Sequence, residues 1–373
     1  MKPKLNPILL FTILLTLGFI PAQAFSDTHE QSDLIEIGRI DTGGNAFYIQ
    51  VVDNICVVSE VSYMGLKFYN VTDPTLPKLV GTHKHGSGAP HNTIIKENIV
   101  FLADTVDGVE IIDIINPFSP SLISSTKTGG YAWDLQLYKN LLYVVDYNEG
   151  LKIFDVSDYK NLIEIGNLTG STFSNIYITE NDLAFITAYR EGLKIIDISV
   201  PTKPFLVGSY DELTAPTEVF ARDDVAYVSD WDNGFVSLNV SDPENIIELS
   251  RFDDGGTCVA LHVESNLAFV SEWYNGLEIL NISNPVHPEE IIQYNQSKET
   301  KMVYVDQNLI YVADGYKGLV ILQASFDMLE PVETDITPVL DDDSESFRGI
   351  PGFSFEAIAL GFALVILILR ARA

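Results

Sequence analysis

A glycine-rich segment of the sequence holds three of its six histidines, His83, His85 and His91. Imidazole nitrogens bind zinc and copper, and Glu60 or Asp104 is available as a carboxylate ligand. This spacing matches no established metal motif, so two interpretations stay open, a divalent metal site and a solvated, flexible loop. With a metal bound, the segment would indicate a metal-dependent extracellular enzyme of the hydrolase type.

Acidic residues recur at one position, four residues before a repeated glycine. They are Asp104, Asp146, Asp230, Glu272 and Asp314, and Glu60 stands five before the first such glycine. Ala188 alone breaks the series. One interpretation is that each acid accepts hydrogen bonds from its own turn. The other is a ring of carboxylates around one mouth of a channel, where it would attract a cation.

Aromatic residues stand close to this acidic position and indicate a binding surface. All three tryptophans of the chain belong to the set, which is Trp133, Tyr147, Tyr189, Trp231, Trp273, Tyr274 and Tyr316. Exposed aromatic rings stack on sugar rings or anchor a partner protein. The alternative is that they pack between neighbouring repeats. We predict a binding face for a protein or glycan partner.

The composition and the motifs exclude several classes of function. The chain has 22 Lys and Arg against 52 Asp and Glu, a net charge of −30. Nucleic acid is therefore not an expected partner, since phosphate binding needs a basic face. The sequence also lacks the Gly-x-Ser-x-Gly elbow, a phosphate-cradling loop and the His-Glu-x-x-His zinc motif. We assign no catalytic residue, and no cofactor apart from a divalent metal at the histidines.

The elements that must position these residues are seven copies of one repeat. Its clearest form runs from Gly192 to Ser199, and its copies begin at Gly65, Gly108, Gly150, Gly192, Gly234, Gly276 and Gly318. Each unit contains four short β-prone runs separated by polar turns, which is typical of a propeller blade. The sequence predicts an all-β, seven-bladed β-propeller over residues 25–326.

The seventh unit lacks a fourth strand, because an acidic, proline-containing segment follows Ser325. A strand-like segment, Leu34–Ile40, precedes the first unit and matches the fourth strands of other units. A propeller must hide its first and last edges. We therefore predict that this N-terminal strand completes blade seven.

The repeats resemble a known family. The sequences Gly-Leu-Lys-Ile-Ile-Asp-Ile-Ser at 192–199, Gly-Leu-Lys-Ile-Phe-Asp-Val-Ser-Asp at 150–158, and Leu-Val-Gly at 79–81 and 206–208 are similar to the LVIVD-repeat family of extracellular β-propellers. The resemblance spans roughly residues 34–325 and implies a secreted or surface propeller. It implies no common reaction and no catalytic residue.

Both ends of the chain carry targeting patterns. Residues 1–24 combine early lysines, an apolar run and small residues before the cleavage point, which predicts a signal peptide. Residues 327–350 predict an acidic, flexible stalk. Residues 351–373 predict a single membrane-anchor helix with Arg370 and Arg372 in the cytoplasm, and their Pro-Gly-Phe start also resembles an archaeal sorting signal. We expect a membrane-anchored propeller on the outer cell surface.

Five Asn-x-Ser/Thr sequences are acceptors for N-glycosylation on an exported chain. They begin at Asn70, Asn167, Asn239, Asn281 and Asn295. Three of them, Asn70, Asn239 and Asn281, also end a predicted strand, where an asparagine can bond the turn backbone. Glycosylation and turn formation both stay open at these sites.

The two cysteines are placed in the second strand of blade one (Cys56) and the first strand of blade five (Cys258). A seven-membered ring keeps these positions apart, whereas a disulfide requires α-carbons within about 7 Å. We predict two small, buried thiols.

Overall fold

The computed structural model describes residues 34–61, 65–84, 86–253, 255–297 and 299–324. The chain divides into two units, Met1–Pro331 and Val332–Ala373, and every described residue belongs to the first. The predicted signal peptide, acidic stalk and membrane anchor lie outside the described residues. Within that described part there is no helix long and apolar enough to cross a membrane.

The described residues form seven antiparallel sheets of four strands each, which confirms the predicted seven-bladed propeller. Blade one contains β2 (Asn45–Val52), β3 (Ile55–Val61), β4 (Gly65–Asn70) and β5 (Lys78–His83). Blade two contains β6 (Thr93–Lys96), β7 (Ile99–Ala103), β8 (Val109–Asp113) and β9 (Ser121–Thr126). Blade three contains β10 (Ala132–Tyr138), β11 (Leu141–Asp146), β12 (Gly150–Asp155) and β13 (Ile163–Leu168).

The remaining blades repeat the pattern. Blade four contains β14 (Phe173–Ile178), β15 (Leu183–Ala188), β16 (Gly192–Asp197) and β17 (Phe205–Tyr210). Blade five contains β18 (Pro216–Arg222), β19 (Val225–Asp230), β20 (Gly234–Asn239) and β21 (Ile247–Phe252). Blade six contains β22 (Cys258–Glu264), β23 (Leu267–Glu272), β24 (Gly276–Asn281) and β25 (Glu289–Tyr294). Blade seven contains β26 (Met302–Asp306), β27 (Leu309–Ala313), β28 (Leu319–Ala324) and β1 (Leu34–Ile40).

The N-terminal strand closes the ring, as predicted. Strand β1 pairs antiparallel with β28, with Leu34 opposite Ala324 and Ile40 opposite Leu319. A Cβ atom built on Gly38 would lie 2.0 Å from the carbonyl oxygen of Pro74 in blade one. The same close approach joins the fourth strand of blade four to blade five, where Gly208 meets Pro243. Blade seven is therefore packed against blade one in the way that other neighbouring blades pack.

The hydrophobic core lies between the blades. Second and third strands are covered on both faces, so they are nearly continuous apolar runs, such as Ile-Val-Phe-Leu-Ala in β7. One cluster joins Ile49 and Tyr69 of blade one to Tyr311 and Ile321 of blade seven. Burying a side chain of this size contributes about 1.5–3 kcal/mol. The closing interface is thus held by the same apolar packing as the rest of the ring.

The repeated glycine begins the third strand, or directly precedes it in blades two and seven, for a steric reason. All seven copies have a positive φ, which is 77° at Gly192 and Gly234 and 93° at Gly150 and Gly276. L-residues rarely adopt this conformation. A Cβ atom on Gly192 would also lie 1.9 Å from the carbonyl oxygen of Tyr210 in the fourth strand.

Both cysteines are free and buried. Cys56 lies in β3 of blade one, but Cys258 begins β22 of blade six, so its predicted place in blade five is wrong. The reason is that β22 pairs with β23, which leads into the sixth repeat glycine, Gly276.

Candidate functional site

The first strands of the blades surround a central channel, and the channel holds a cavity of about 550 Å³. Its lining comes from the start of the first strand in every blade and, in blades three to six, also from the turn between the second and third strands. The lining residues include Phe47, Tyr48, His91, Asn92, Trp133, Asp134, Tyr147, Asn175, Tyr189, Glu218, Trp231, Asp232, Trp273 and Lys301. Small-molecule sites have volumes of about 300–1,000 Å³. The cavity is therefore large enough for a small ligand or for one end of a larger one.

A β-bulge near the start of the first strand brings two successive side chains to the cavity. The register shifts between Ala132 and Asp134 in β10, and between Pro216 and Glu218 in β18. A bulge inserts one extra residue and re-aims its neighbours. As a result Trp133 and Asp134 both line the cavity, although neighbours in a regular strand face opposite sides.

One wall of the cavity is a continuous run of rings from blades one to three. The ring centroid of His91 lies 4.9 Å from that of Phe47 and 4.7 Å from that of Trp133. The Trp133 ring in turn lies 5.1 Å from that of Tyr147. Burial lowers the pKa of His91 to about 4, so this imidazole is neutral at pH 7 and acts as another flat ring of the wall.

A second wall is formed by two tryptophans of blades five and six and a lysine of blade seven. Trp231 and Trp273 meet edge to face with centroids 5.0 Å apart. The ammonium nitrogen of Lys301 lies 2.7 Å from the centroid of the Trp273 ring. Lys301 is only 6% exposed, and burial lowers its pKa to about 8. The wall therefore combines aromatic faces with one buried positive charge.

Polar side chains lie between these walls, and Asp134 is the most heavily bonded of them. Its Oδ1 accepts hydrogen bonds from the Asn92 side-chain amide and the Leu135 backbone N–H. Its Oδ2 accepts from the Asn175 amide at 2.7 Å and the Ile176 N–H at 2.9 Å. Burial raises the pKa of Asp134 to about 7, while the two backbone N–H groups favour its ionised form. Four donors leave this carboxyl little capacity for a ligand.

Glu218 differs from Asp134, because among the described residues its carboxyl accepts a hydrogen bond from one backbone N–H group. Its Oε2 accepts from the Leu261 N–H at 2.7 Å. Burial raises the pKa of Glu218 to about 8, against the effect of the Leu261 N–H, and the Asp134 charge raises it further. At pH 7 the protonated acid predominates and can donate a hydrogen bond.

Five of the seven predicted binding aromatics line the cavity: Trp133, Tyr147, Tyr189, Trp231 and Trp273. The structure does not place Tyr274 and Tyr316 among the lining residues, and they are 72% and 67% exposed. Packing between blades occurs at some of these rings, since Trp133 contacts His91 and Trp231 contacts Trp273 across blade boundaries, and a binding role for the aromatics stays a prediction.

The structure separates two of the three histidines considered as metal ligands. His83 is buried, with its Nε2 3.1 Å from Oε2 of Glu110, whereas His91 lies between Phe47 and Trp133. His85 lies outside the described residues. The described residues contain no group of three His, Cys, Asp or Glu side chains placed to hold a metal ion.

The acidic residues are buried against the connection that precedes the first strand of their own blade. Asp146 accepts hydrogen bonds from the N–H groups of Gly130 and Tyr131, each at 3.0 Å, and from its own turn. Asp230 accepts from Thr214 and Ala215 in the same way. The others, Glu60, Asp104, Glu272 and Asp314, are also 3% exposed or less. This geometry favours the turn interpretation for Asp146 and Asp230.

In blade four, where Ala188 stands in the acidic position, a different carboxylate contacts the loop. Oε1 of Glu191 accepts hydrogen bonds from the hydroxyls of Ser171 and Thr172, at 3.1 and 3.4 Å. Glu191 is exposed. In blade four, therefore, an exposed carboxylate bonds the loop in place of a buried one.

The glycosylation candidates fall into two groups. Asn70, Asn239 and Asn281 each accept a hydrogen bond at Oδ1 from the N–H two residues later, at 2.9 Å. They have the predicted turn role. Asn167 and Asn295 are exposed on the surface.

Sequence reasoning did not find the polar residues between the walls, which are Asn92, Asp134, Asn175, Glu218 and Lys301. They lie in or next to first strands, the least repetitive part of each unit. A usable signal was nevertheless present. An alignment of the seven repeats places His91, Trp133, Thr217 and Lys301 in one column, at the same distance before the repeat glycine. The residue types in this column differ widely, although the rest of the repeat is regular. The fold therefore does not determine the residue at this position, which makes it available for function.

The fold and this cavity define a β-propeller repeat protein with a ligand-sized central cavity. The LVIVD repeat model matches six segments that cover more than half of the chain, residues 87–128, 129–169, 174–212, 217–254, 255–296 and 298–325. The chain belongs to the LVIVD repeat family.

Other comparisons concern the fold alone. Comparison with curated proteins gave no match. The crystal structure of the computationally designed Ika8 protein is similar with a TM-score of 0.57 and 13% identity, over 77% of this chain and 99% of that one. A chain of the crystal structure of a mitotic checkpoint complex is similar with a TM-score of 0.61 and 11% identity, over 78% of this chain and 93% of that one.

Proposed function

We propose that this protein is a glycan-binding module held outside the cell, and that the central cavity is its binding site. β-Propeller repeat proteins commonly serve as interaction modules. The N-terminal signal pattern and the C-terminal apolar segment of the sequence support an anchored, extracellular location.

The observation that carries the proposal is the pairing of aromatic walls with polar groups inside one cavity. A sugar ring has apolar C–H faces and a rim of hydroxyl groups. The faces suit the rings of Trp133, Trp231 and Trp273, and the hydroxyls suit the carboxyl of Glu218. A concave cavity of about 550 Å³ also fits one or two sugar rings better than the flat surface of a folded protein.

A glycan array probed with the full-length chain tests this function. Binding to a defined set of glycans is expected, and Trp231→Ala should abolish it because the variant removes one of the two tryptophans of the second wall. Tyr274→Ala is the matched control, since Tyr274 is 72% exposed and is not among the lining residues. A blank array, together with capture of a protein partner whose binding Trp231→Ala does not change, would contradict the proposal.

A further inference from the structure

Lys301 is the single lysine or arginine among the described residues that line the cavity. The described part of the chain gives its ammonium group an aromatic ring, Trp273, but no ion pair. The charges of two acids, Glu299 and Asp314, act on Lys301 without forming an ion pair with it. Asp314 is engaged elsewhere: its Oδ2 lies 3.6 Å from nitrogens of both Arg39 and Lys317, and its Oδ1 accepts the backbone N–H of Glu299.

A buried cation that forms no ion pair is unusual in a folded protein, because removing the charge from water is unfavourable. Lys301 is 6% exposed, in a chain that carries a net charge of −30. Acidic groups are thus abundant in this protein, yet none forms an ion pair with this ammonium group in the described residues. An anionic group on the ligand would complete the site.

The acids that line the cavity do not prevent an anion from entering. Four donors occupy the oxygens of Asp134, which spread its charge into the surrounding backbone and amides. Glu218 is protonated at pH 7 and can donate to an anion. Asp232 is exposed at the mouth, where water and salt screen its charge.

We propose that the cavity selects an acidic glycan, with Lys301 binding a carboxylate or sulfate group on a sugar that packs against Trp231 and Trp273. This inference rests on the proposed function and adds the charge of the ligand to it. A charge-assisted hydrogen bond in a buried site is among the stronger polar contacts. The anion would therefore decide which sugars bind.

Isothermal titration of the full-length chain at pH 7 tests the inference with matched ligands. The probes are a galacturonate trisaccharide, a 6-sulfated galactose trisaccharide and the neutral galactose trisaccharide. The expected result is that one or both acidic ligands bind about 10- to 100-fold more tightly than the neutral one. The two acidic probes tell carboxylate from sulfate.

Variants of Lys301 identify the group responsible. Lys301→Met should lose the preference for acidic ligands, whereas Lys301→Arg, which keeps the charge, should retain most of it. Lys203→Met is the matched control, because Lys203 is exposed on the connection between β16 and β17. A thermal melt of each variant establishes that it is folded.

Three results overturn the inference and can be told apart. Equal affinity for acidic and neutral sugars contradicts the acidic ligand, and an unchanged preference in Lys301→Met contradicts the role of Lys301. Both results leave the glycan-binding function in place. Failure of all sugars to bind, on these probes and on the array, overturns the proposed function and this inference with it.

Discussion

The ammonium nitrogen of Lys301 lies 2.7 Å from the centroid of the Trp273 indole ring. This contact joins blade seven to blade six at the edge of the central cavity. It holds the charge of Lys301 against an aromatic face instead of against a carboxylate. Trp273 therefore has two roles in our account, as a stacking surface for the ligand and as the support of the cation that binds it.

Replacing Trp273 should weaken ligand binding in a way that depends on the aromatic face. Trp273→Leu keeps an apolar side chain but removes the ring, and we expect a loss of about 2 kcal/mol, roughly 30-fold in affinity. Trp273→Phe keeps a ring and should lose less than Trp273→Leu. Titration calorimetry measures both. Equal losses of affinity in Trp273→Leu and Trp273→Phe would contradict a role for the aromatic face and would show that Trp273 contributes only apolar surface.

Binding of an acidic ligand should weaken as the pH rises through about 8. Burial lowers the pKa of Lys301 to about 8, so its positive charge is present below that pH and is lost above it. Burial raises the pKa of Glu218 to about 8, so this acid is neutral below that pH and negative above it. Both changes make the cavity more negative at high pH. Affinity measured from pH 6 to pH 10 should fall, and a flat or rising profile would contradict this.

The groups around each residue allow the two effects to be separated. The charges of Glu299 and Asp314 raise the pKa of Lys301 against the effect of burial. The Leu261 N–H lowers the pKa of Glu218, and the Asp134 charge raises it. Lys301→Arg keeps its charge throughout the range, so its profile should report the two buried acids, Glu218 with a pKa of about 8 and Asp134 with a pKa of about 7. Glu218→Gln removes the acid that titrates with Lys301, so the part of its profile near pH 8 should follow Lys301. If both variants retain the full wild-type pH dependence, the titrating group is a different one.

Adding one methyl group at Gly38 should destabilise the propeller. The Cβ atom of Gly38→Ala would lie 2.0 Å from the carbonyl oxygen of Pro74, so blades seven and one must move apart. Overpacking of this kind costs about 1–3 kcal/mol. Gly208→Ala, which meets Pro243 at the same distance, should cost a similar amount. Ile35→Ala is the control in β1, since Ile35 is 59% exposed.

Thermal or denaturant unfolding measures these differences. A Gly38→Ala variant as stable as the wild type would mean that β1 does not close the ring in solution.

Removing the Asp146 carboxylate should unfold its loop rather than release a cation. Asp146→Ala leaves the partly buried N–H groups of Gly130 and Tyr131 without their acceptor. We expect a loss of about 2 kcal/mol in the free energy of unfolding, because an unsatisfied donor costs about 1–3 kcal/mol when it is buried. Asp232→Ala, at an exposed acid, is the control. A melting temperature of the wild type that rises with calcium and falls with a chelator would support the cation interpretation instead.

The fold could be predicted from the sequence because its constraints repeat. The glycine at Gly192 and its six equivalents needs a positive φ and has no room for a side chain, so it recurs in every blade. The orphan strand Leu34–Ile40 was recognisable since it carries Gly38, which meets blade one as other fourth-strand glycines meet their neighbours. The first of these constraints recurs in all seven blades, and the second recurs at four fourth-strand glycines, Gly38, Gly81, Gly166 and Gly208.

The site was predictable only in part, because the residues that line the cavity differ from one repeat to the next. Trp231 and Trp273 could be placed on one face because they follow the acidic position directly. The side chains of Asp134, Glu218 and Lys301 depend on bulges and on contacts between blades, which the spacing of residues does not reveal. Likewise, the spacing of His83 and His91 could not show that one faces Glu110 and the other an aromatic wall.

Intrinsic tryptophan fluorescence offers the most direct test of the central claim, that ligands bind in the channel. The chain has three tryptophans, and all of them, Trp133, Trp231 and Trp273, line the cavity. A glycan that binds by calorimetry should change their emission with the same midpoint and protect them from quenching by acrylamide. A glycan that binds stoichiometrically while emission and quenching stay unchanged would place the binding site elsewhere on the propeller.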